Sequence, residues 1–241
     1  FNHSVFRYLF GGAISQIIVL CFWSYISSTV SINIVGEFHG TIFWVELISL
    51  VSLMGITTYY AKLHFQSVSK INDNLLFLIL FLISFLLSLI YVLIDGLFTQ
   101  LDIIFLSAVF GRMSFDFYLN ILVVKDRSLS VIKIQILRAL ILLISGFILS
   151  FFNCDALLII LGAYSLSFIL PGLGLYLVTI KESTTGDFRD FNWRIIVESS
   201  PYMAVGLVGI FGAYSTRLVA ITLFSNEVVG TIGLFTSYAA P

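Results

Sequence analysis

Five ionisable side chains stand inside long apolar stretches of this chain: Glu46, Arg112, Asp116, Arg138 and Arg217. On insertion scales, an ionisable residue at membrane depth costs about 2.5 to 3.5 kcal/mol, so it requires an ion-pair partner, a wet cavity or a route to the headgroups. Arginine adds a permanent planar cation whose N–H groups suit phosphate oxygens. Together these residues predict a polar interior between membrane helices.

Each of these residues also has a purely structural interpretation, and at this stage both stay open. Arg112 and Asp116 are one helical turn apart near the middle of the fourth span, so they can form an ion pair that only ties helices together. Arg138, about one turn inside the cytoplasmic end of the fifth span, and Arg217, in the outer half of the seventh, can reach the headgroups. Glu46, in the outer half of the second span, can be a neutral carboxyl hydrogen-bonded between helices.

The apolar stretches themselves predict a membrane protein that crosses the bilayer many times. Hydrophobic residues make up 59% of the chain, charged residues only 10%, and the mean hydropathy is +1.08. About 20 helical residues cross a hydrocarbon core roughly 30 Å thick with every backbone hydrogen bond made internally. Run lengths place spans at roughly 9–30, 38–60, 75–94, 102–124, 134–152, 156–180 and 196–224, with an eighth starting near Val228. The predicted fold class is an all-α polytopic transmembrane bundle.

The charges between the spans predict the orientation. Basic residues fall at the N-terminus and in every second gap: Arg7, Lys62, Lys70, Lys125, Arg127, Lys133, Lys181, Arg189 and Arg194. The other gaps carry only acidic charges: Glu37, Asp95, Asp102, Asp155 and Glu227. Because Lys and Arg near span ends are retained in the cytoplasm, this alternation predicts a cytoplasmic N-terminus.

Proline and glycine interrupt two of the predicted spans. Pro171, Gly172 and Gly174 stand in the sixth span, and Pro201 stands in the seventh. Proline removes a helical donor and clashes with the preceding turn, so these positions are candidate hinges for a moving transporter. Gly206, Gly209 and Gly212 follow Pro201 at a spacing that favours close helix approach, although static packing explains such residues equally well.

A weak internal repeat appears when the chain is shifted by 194 residues. The shift aligns five identical pairs: Tyr8 with Tyr202, Gly12 with Gly206, Ser31 with Ser225, Val35 with Val229 and Gly36 with Gly230. Both copies read as a long apolar span, a short gap beginning with Ser, and Val-Gly opening the next span. Transporters are often built from such duplicated bundles.

Two segments resemble the polysaccharide (O-antigen) flippases of the superfamily that also contains MATE multidrug exporters and lipid II flippases. The first runs from Ile34-Val35-Gly36-Glu37-Phe38 to the span ending at Leu53-Met54-Gly55-Ile56 and Lys62; the second is 217–230, with Glu227-Val228-Val229-Gly230 opening the eighth span. The resemblance implies a six-helix N-terminal lobe (1–180), a cytoplasmic linker (181–194) and the first helices of an incomplete C-terminal lobe (195–241). On that basis the chain is expected to be a fragment of a protein with twelve or more spans.

The resemblance implies a transporter in the bacterial inner membrane that flips a polyprenyl-diphosphate-linked oligosaccharide by alternating access. Its partners are then the lipid-linked oligosaccharide, membrane lipids and a coupling H⁺ or Na⁺. We expect Arg112, Arg217 and Arg138 to bind the diphosphate and Glu46 or Asp116 to sense the coupling ion. Position 217 departs from the family, because many relatives carry an acidic or another polar residue there.

Other functions compete with this one. A MATE-like drug or small-solute antiporter needs carboxylates for a cationic substrate, and the chain has both signs of charge. A membrane enzyme of polysaccharide biosynthesis is disfavoured, because no paired-aspartate metal motif or nucleophile elbow occurs. A passive scaffold has little reason to carry buried arginines. The scattered His3, His39 and His64 predict no metal site and no cofactor, and the spread of basic residues argues against nucleic acid.

Overall fold

The computed structural model describes residues 3–53, 55–65, 73–95, 99–125, 127–151, 155–182 and 194–239. Within these ranges the chain is helical: α1 (His3–Thr29), α2 (Ile32–Leu53), α3 (Ile56–Phe65), α4 (Asp73–Asp95), α5 (Gln100–Val124), α6 (Ser128–Leu149), α7 (Ala156–Glu182), α8 (Arg194–Leu223) and α9 (Asn226–Ala239). The predicted all-α polytopic bundle is confirmed.

Six helices of the described chain are long and apolar enough to cross a membrane, namely α1, α2, α4, α5, α6 and α7. They correspond to the first six predicted spans. Helix α8 has 30 residues, and the part of it whose side chains are described without a gap includes the apolar segment Ile195–Gly209. The eighth predicted span begins as α9, two residues before the expected Val228.

The second predicted span, 38–60, is wrong in its bounds because the helix breaks at Gly55. Gly55 has φ +69°, a left-handed conformation that glycine adopts without steric cost, and it separates α2 from α3. The same position lies directly against α8, since a Cβ there would be 2.6 Å from the carbonyl oxygen of Ser199. Glycine therefore allows both the break and the close approach of a second backbone.

Two parallel helix pairs form the centre of the bundle. Helix α5 packs along α7, α1 packs along α6, and α6 also contacts α7. Helix α2 lies against α5 and α4 on one side and against α8 and α9 on the other. The buried apolar residues form three clusters, and Tyr164 of α7 packs against all three of them.

The described basic residues between the spans lie at one end of the bundle, as the sequence predicted. Basic residues lie at the end where α1 and α6 begin: Lys62, Arg127 and Lys133 are exposed, and Lys125 is partly buried. Glu37, Asp155 and Glu227 are exposed at the opposite end, while one further exposed carboxylate, Glu198, stands near the start of α8. We call these the basic end and the acidic end. Lys70 and Arg189 are outside the described residues, as are the side chains of Arg7, Asp95, Lys181 and Arg194.

The candidate hinge residues do not interrupt their helices. Helix α7 continues through Pro171 and α8 through Pro201, with Pro171 buried and Pro201 exposed. Gly172 is buried against α5, whereas no described atom lies within 4 Å of a Cβ built at Gly174. Hinge motion at these positions stays a prediction.

The predicted glycine strip on α8 is also not a close-packing surface within the described chain. Only Gly206 is near a neighbour, with a Cβ position 3.5 Å from the methyl groups of Leu50. No described atom of a neighbouring helix lies within 4 Å of a Cβ built at Gly209 or Gly212. Close approach occurs at other glycines, above all where α2 meets α9.

The residues that make the contact between α2 and α9 are related by the 194-residue repeat. A Cβ on Gly36 would collide with the carbonyl oxygen of Asn226, and a Cβ on Gly230 would collide with that of Ile32. The 194-residue shift carries Gly36 onto Gly230 and Ile32 onto Asn226, so these two contacts are the same contact made twice. Gly36 also faces Gly230, its own counterpart. This reciprocity is the signature of a local two-fold axis.

The turns that lead into the two helices repeat as well. The carbonyl oxygen of Ser31 accepts hydrogen bonds from the N–H groups of Ile34 (3.1 Å) and Val35 (3.2 Å). The carbonyl oxygen of Ser225 accepts the equivalent bonds from Val228 (3.0 Å) and Val229 (3.2 Å). The weak sequence repeat therefore corresponds to a repeated local structure.

We predict that Gly36→Ala and Gly230→Ala destabilise the protein to a similar degree, by about 1 to 3 kcal/mol each, because either methyl group forces the two backbones apart. Thermal unfolding in detergent measures the loss. Gly40→Ala is the matched control on α2, since its Cβ meets no described atom and alanine is the better helix former. Equal melting temperatures for all three variants would contradict the close contact.

Candidate functional site

A recess of about 790 Å³ opens between α1, α5, α6 and α7. Its polar side chains are Ser15, Gln16, Arg112, Asp116, Gln135 and Arg138. All of these residues lie within candidate membrane spans, so the recess places polar groups at membrane depth. It occupies the middle of the bundle and the half toward the basic end.

Small residues on α1 create the volume of this recess. Gly12 and Ala13 line it, and no described atom lies within 4 Å of a Cβ built at Gly12. Helices α1 and α6 nevertheless stay together, because Gly11 packs against Ile132 and the Ser15 hydroxyl donates a 3.3 Å hydrogen bond to the carbonyl oxygen of Gln135. Helices α1 and α6 are thus in contact along one side, and the recess lies along the other.

Arg112 is the centre of the charge network that borders the recess. Its Nε donates to Asp116 Oδ2 at 2.7 Å, one turn along α5, and its Nη1 lies 3.5 Å from Glu46 Oε1 on α2. The same Nη1 donates to the Tyr164 hydroxyl of α7 at 3.4 Å. The predicted Arg112–Asp116 pair is therefore present, and it is part of a network that joins three helices.

The network leaves the guanidinium partly accessible. The side chains of Arg112 and Asp116 are 28% and 27% exposed, whereas that of Glu46 is only 15% exposed. Glu46 Oε2 is buried and receives no hydrogen bond from the described residues. Arg112 and Asp116 thus face the recess, while Glu46 supports Arg112 from behind.

Arg138 lies deeper than the sequence predicted. Helix α6 begins at Ser128 rather than near 134, because the polar residues before Ile134 continue the helix, so Arg138 is ten residues from its start. At 1.5 Å per residue this is roughly 15 Å from the basic end, near the middle of the span. Its guanidinium carbon is 4.8 Å from the ring centre of Phe168 and 6.0 Å from that of Phe115. The side chain therefore points into the recess and not to the headgroups.

Phe168 is shared by both arginines. The guanidinium carbon of Arg112 is also 4.8 Å from the same ring centre. Each cation–π contact contributes about 0.5 to 2 kcal/mol, depending on desolvation. Unlike Arg112, however, Arg138 has no carboxylate within ion-pair distance in the part of the chain that the structure describes. The recess thus contains one arginine paired with carboxylates, Arg112, and one arginine whose described contacts are with aromatic rings, Arg138.

The predicted position of Glu46 along its membrane span, in the outer half, was wrong. Because α2 covers Ile32–Leu53, Glu46 lies past its midpoint toward the basic end and not in the outer half. This shift brings it level with Arg112. Arg217 belongs to α8, but its side chain is outside the described residues, so its predicted role stays a prediction.

Sequence reasoning missed the aromatic and amide members of the site. Phe168 and Tyr164 are one turn apart on α7, which gives them a common face, but aromatic residues are too frequent in this chain for that spacing to stand out. Gln16 and Gln135 gave a usable signal, since each is an uncharged polar residue inside an apolar span. In the described ranges, no three His, Cys, Asp or Glu side chains gather into a metal-binding group.

Comparison with known proteins gives no match: no family model, no curated protein and no solved structure is significantly similar to this chain. The resemblance to polysaccharide flippases therefore stays a prediction from its motifs. The recess and its charges are therefore the features of this chain that bear on its function.

We predict that Glu46→Gln and Asp116→Asn are each tolerated, because Arg112 keeps one carboxylate partner, and that the double variant loses more stability than the two single losses combined. The expected coupling is about 0.5 to 3 kcal/mol, since a cation at membrane depth is then left without compensation. Unfolding in detergent measures it. Glu37→Gln, an exposed carboxylate on the same helix, is the control. Strictly additive losses would show that the two carboxylates do not share Arg112.

Proposed function

We propose that this chain belongs to a transporter that moves an anionic lipid-linked headgroup, a polyprenyl-diphosphate oligosaccharide, across the bacterial inner membrane by alternating access. The observation that carries the proposal is Arg138: a guanidinium at mid-span, in an open recess, without a carboxylate partner among the described residues. A protein gains nothing from such a charge in lipid unless an anion joins it.

The arrangement favours an anionic substrate over the cationic one of a drug antiporter. Both carboxylates near the recess, Glu46 and Asp116, contact Arg112. A cationic drug would have to displace a guanidinium at membrane depth to reach either carboxylate. A diphosphate instead finds Arg138 ready and Arg112 partly accessible beside it. Guanidinium groups bind phosphate oxygens through paired N–H donors, which suits this ligand.

The size of the recess supports a headgroup rather than a bare ion. Its volume of about 790 Å³ lies within the usual range of small-molecule sites, roughly 300 to 1,000 Å³. Gln16 and Gln135 add amide groups of the kind that bind sugar hydroxyls. The lipid chain of the substrate would remain in the bilayer while the headgroup occupies the recess.

The distribution of basic residues supports one side of the membrane as the side from which the recess loads. By the positive-inside rule, the basic end is cytoplasmic, so the recess lies in the cytoplasmic half and loads from that side. At the acidic end, α2 and α9 are in backbone contact through Gly36 and Gly230. We infer that this contact closes the outer side while the substrate loads. Release would require the two repeat-related helices to separate.

Coupling to an ion has a simple route through Arg112. A proton or a sodium ion that neutralises Glu46 or Asp116 would release Arg112 from one partner and make its charge available to the substrate. Departure of the anion would restore the ion pair. Substrate and coupling ion would thus act on the same guanidinium.

The test is binding of undecaprenyl diphosphate to the purified full-length protein in detergent, followed by thermal shift, with undecaprenol as the uncharged reference. We expect Arg138→Ala to weaken diphosphate binding by about tenfold or more, which corresponds to losing roughly 1.4 kcal/mol or more. Arg138→Lys should keep part of the affinity, because it keeps the charge but not the planar donors. Lys133→Ala, an exposed basic residue on the same helix, is the matched control and should bind like wild type.

Equal stabilisation by undecaprenol and its diphosphate would overturn the proposal, because the recess would then contribute no anion recognition. So would unchanged binding in Arg138→Ala at normal protein abundance. A shift produced by cationic drugs, lost in Glu46→Gln or Asp116→Asn, would instead support the antiporter.

A further inference from the structure

A second cavity lies between α4, α5 and α7, on a different side of the bundle from the recess. Its volume is about 260 Å³, and it is lined mainly by aromatic and aliphatic side chains. The lining residues of α5 and α7 come from their central parts and their halves toward the basic end, and those of α4 from its first turns, so the cavity lies at membrane depth. The transport mechanism proposed above does not use it.

The walls of the cavity are preformed by rings that pack on one another. Phe77 of α4 lies 5.0 Å from Tyr118 of α5 and 5.9 Å from Tyr176 of α7, measured between ring centres. Phe81 and Phe110 pack edge to face at 4.5 Å. Interlocked rings on three helices cannot collapse into the space without losing these contacts, so the cavity persists.

Almost all of the accessible surface inside the cavity is apolar, and Tyr118 and Tyr176 contribute their rings to its packed walls. The hydroxyl of Ser114, which lines it, already donates a 2.8 Å hydrogen bond to the carbonyl oxygen of Phe110 in its own helix. Water entering the space would therefore find few partners, and apolar cavities of this kind stay dry. An empty space would forfeit the dispersion contacts of its lining atoms. Hydrocarbon is the occupant that suits both facts.

The mouth of the cavity opens on the surface that faces lipid. Leu78 and Leu173 line it and are 46% and 49% exposed. Leu82 of α4 and Leu177 of α7 extend the same surface with similarly exposed aliphatic side chains. In a bilayer, the molecules in contact with this surface are lipid chains.

The cavity is separated from the recess by the α5–α7 pair. On α5, Phe110, Gly111, Ser114 and Tyr118 line the cavity. A different face of α5, which includes Arg112, Asp116 and Leu119, lines the recess. The barrier between them is tight at Gly111, where a Cβ would lie 2.7 Å from Ile169 Cγ1. The chain of a lipid whose headgroup occupies the recess therefore cannot pass directly between α5 and α7 into the cavity.

We propose that this cavity binds an acyl chain segment of a bilayer phospholipid in the leaflet at the basic end, as a resident lipid distinct from the transported one. The volume accommodates part of one chain and not a whole lipid. Because lipid surrounds the protein, affinity comes from packing against rigid rings rather than from removal of water. The bound chain fills the space between α4 and the α5–α7 pair.

The test uses the full-length protein in vesicles of phosphatidylethanolamine and phosphatidylglycerol, with a phosphatidylethanolamine probe that carries a diazirine within one acyl chain. After photolysis, adducts are mapped by peptide mass spectrometry. We expect them to concentrate on the segments 77–81, 110–118 and 169–176. Leu173→Trp, at the mouth, and Ser114→Leu, inside the cavity, should each reduce these adducts several-fold.

Leu170→Trp is the matched control, because Leu170 is an equally exposed leucine on α7 that does not line the cavity. Its adducts should match those of wild type. Adducts spread evenly over all exposed helix faces, or unchanged in folded Leu173→Trp, would overturn the proposal. Displacement of the probe by undecaprenyl phosphate at equal concentration would also overturn it, since the occupant would then be the isoprenoid chain. None of these results depends on Arg138 binding a diphosphate.

Discussion

A guanidinium in the middle of a membrane span requires partners that offset its charge. The partners of Arg112 fix the positions of α2, α5 and α7 relative to one another. Arg112 takes one carboxylate from its own helix and one from α2, and it contacts Tyr164 and Phe168 of α7. Losing both carboxylates would leave an uncompensated charge at membrane depth, which is far more costly than losing a surface ion pair. Three helices are thus held in register by one side chain, and the recess beside it keeps its shape for the same reason.

The α5–α7 pair separates the polar recess from the apolar cavity. One face of the pair borders the polar recess with Arg138, and another borders the aromatic cavity near Gly111. The helices can approach this closely because glycine at 111 leaves room for the side chain of Ile169. The proposed headgroup and the proposed acyl chain would therefore bind on different faces of the same pair of helices.

The contact between α2 and α9 relates the two copies of the sequence repeat by a local two-fold axis. Gly36 and Gly230 face each other, and the contacts around them recur under the same 194-residue shift that aligns the sequence. Two chain segments that make the same contact in both directions are related by a two-fold axis, and a pair of parallel repeats about such an axis is a common plan for alternating access. The weak repeat thus gains a physical meaning that identities alone could not give it.

The sequence by itself determined the class of fold, the six long spans and the separation of charges, because run length, hydropathy and loop charge act locally and need no knowledge of neighbours. It also identified Arg112 and Asp116 as a pair, since a spacing of four residues places both on one helical face. Only the tertiary structure decided that Glu46 joins them, that Arg138 enters the recess, and that Phe168 is shared by both arginines. Those contacts link helices far apart in the chain, and they depend on where each helix begins and on how glycines let the backbones approach, which no local pattern records.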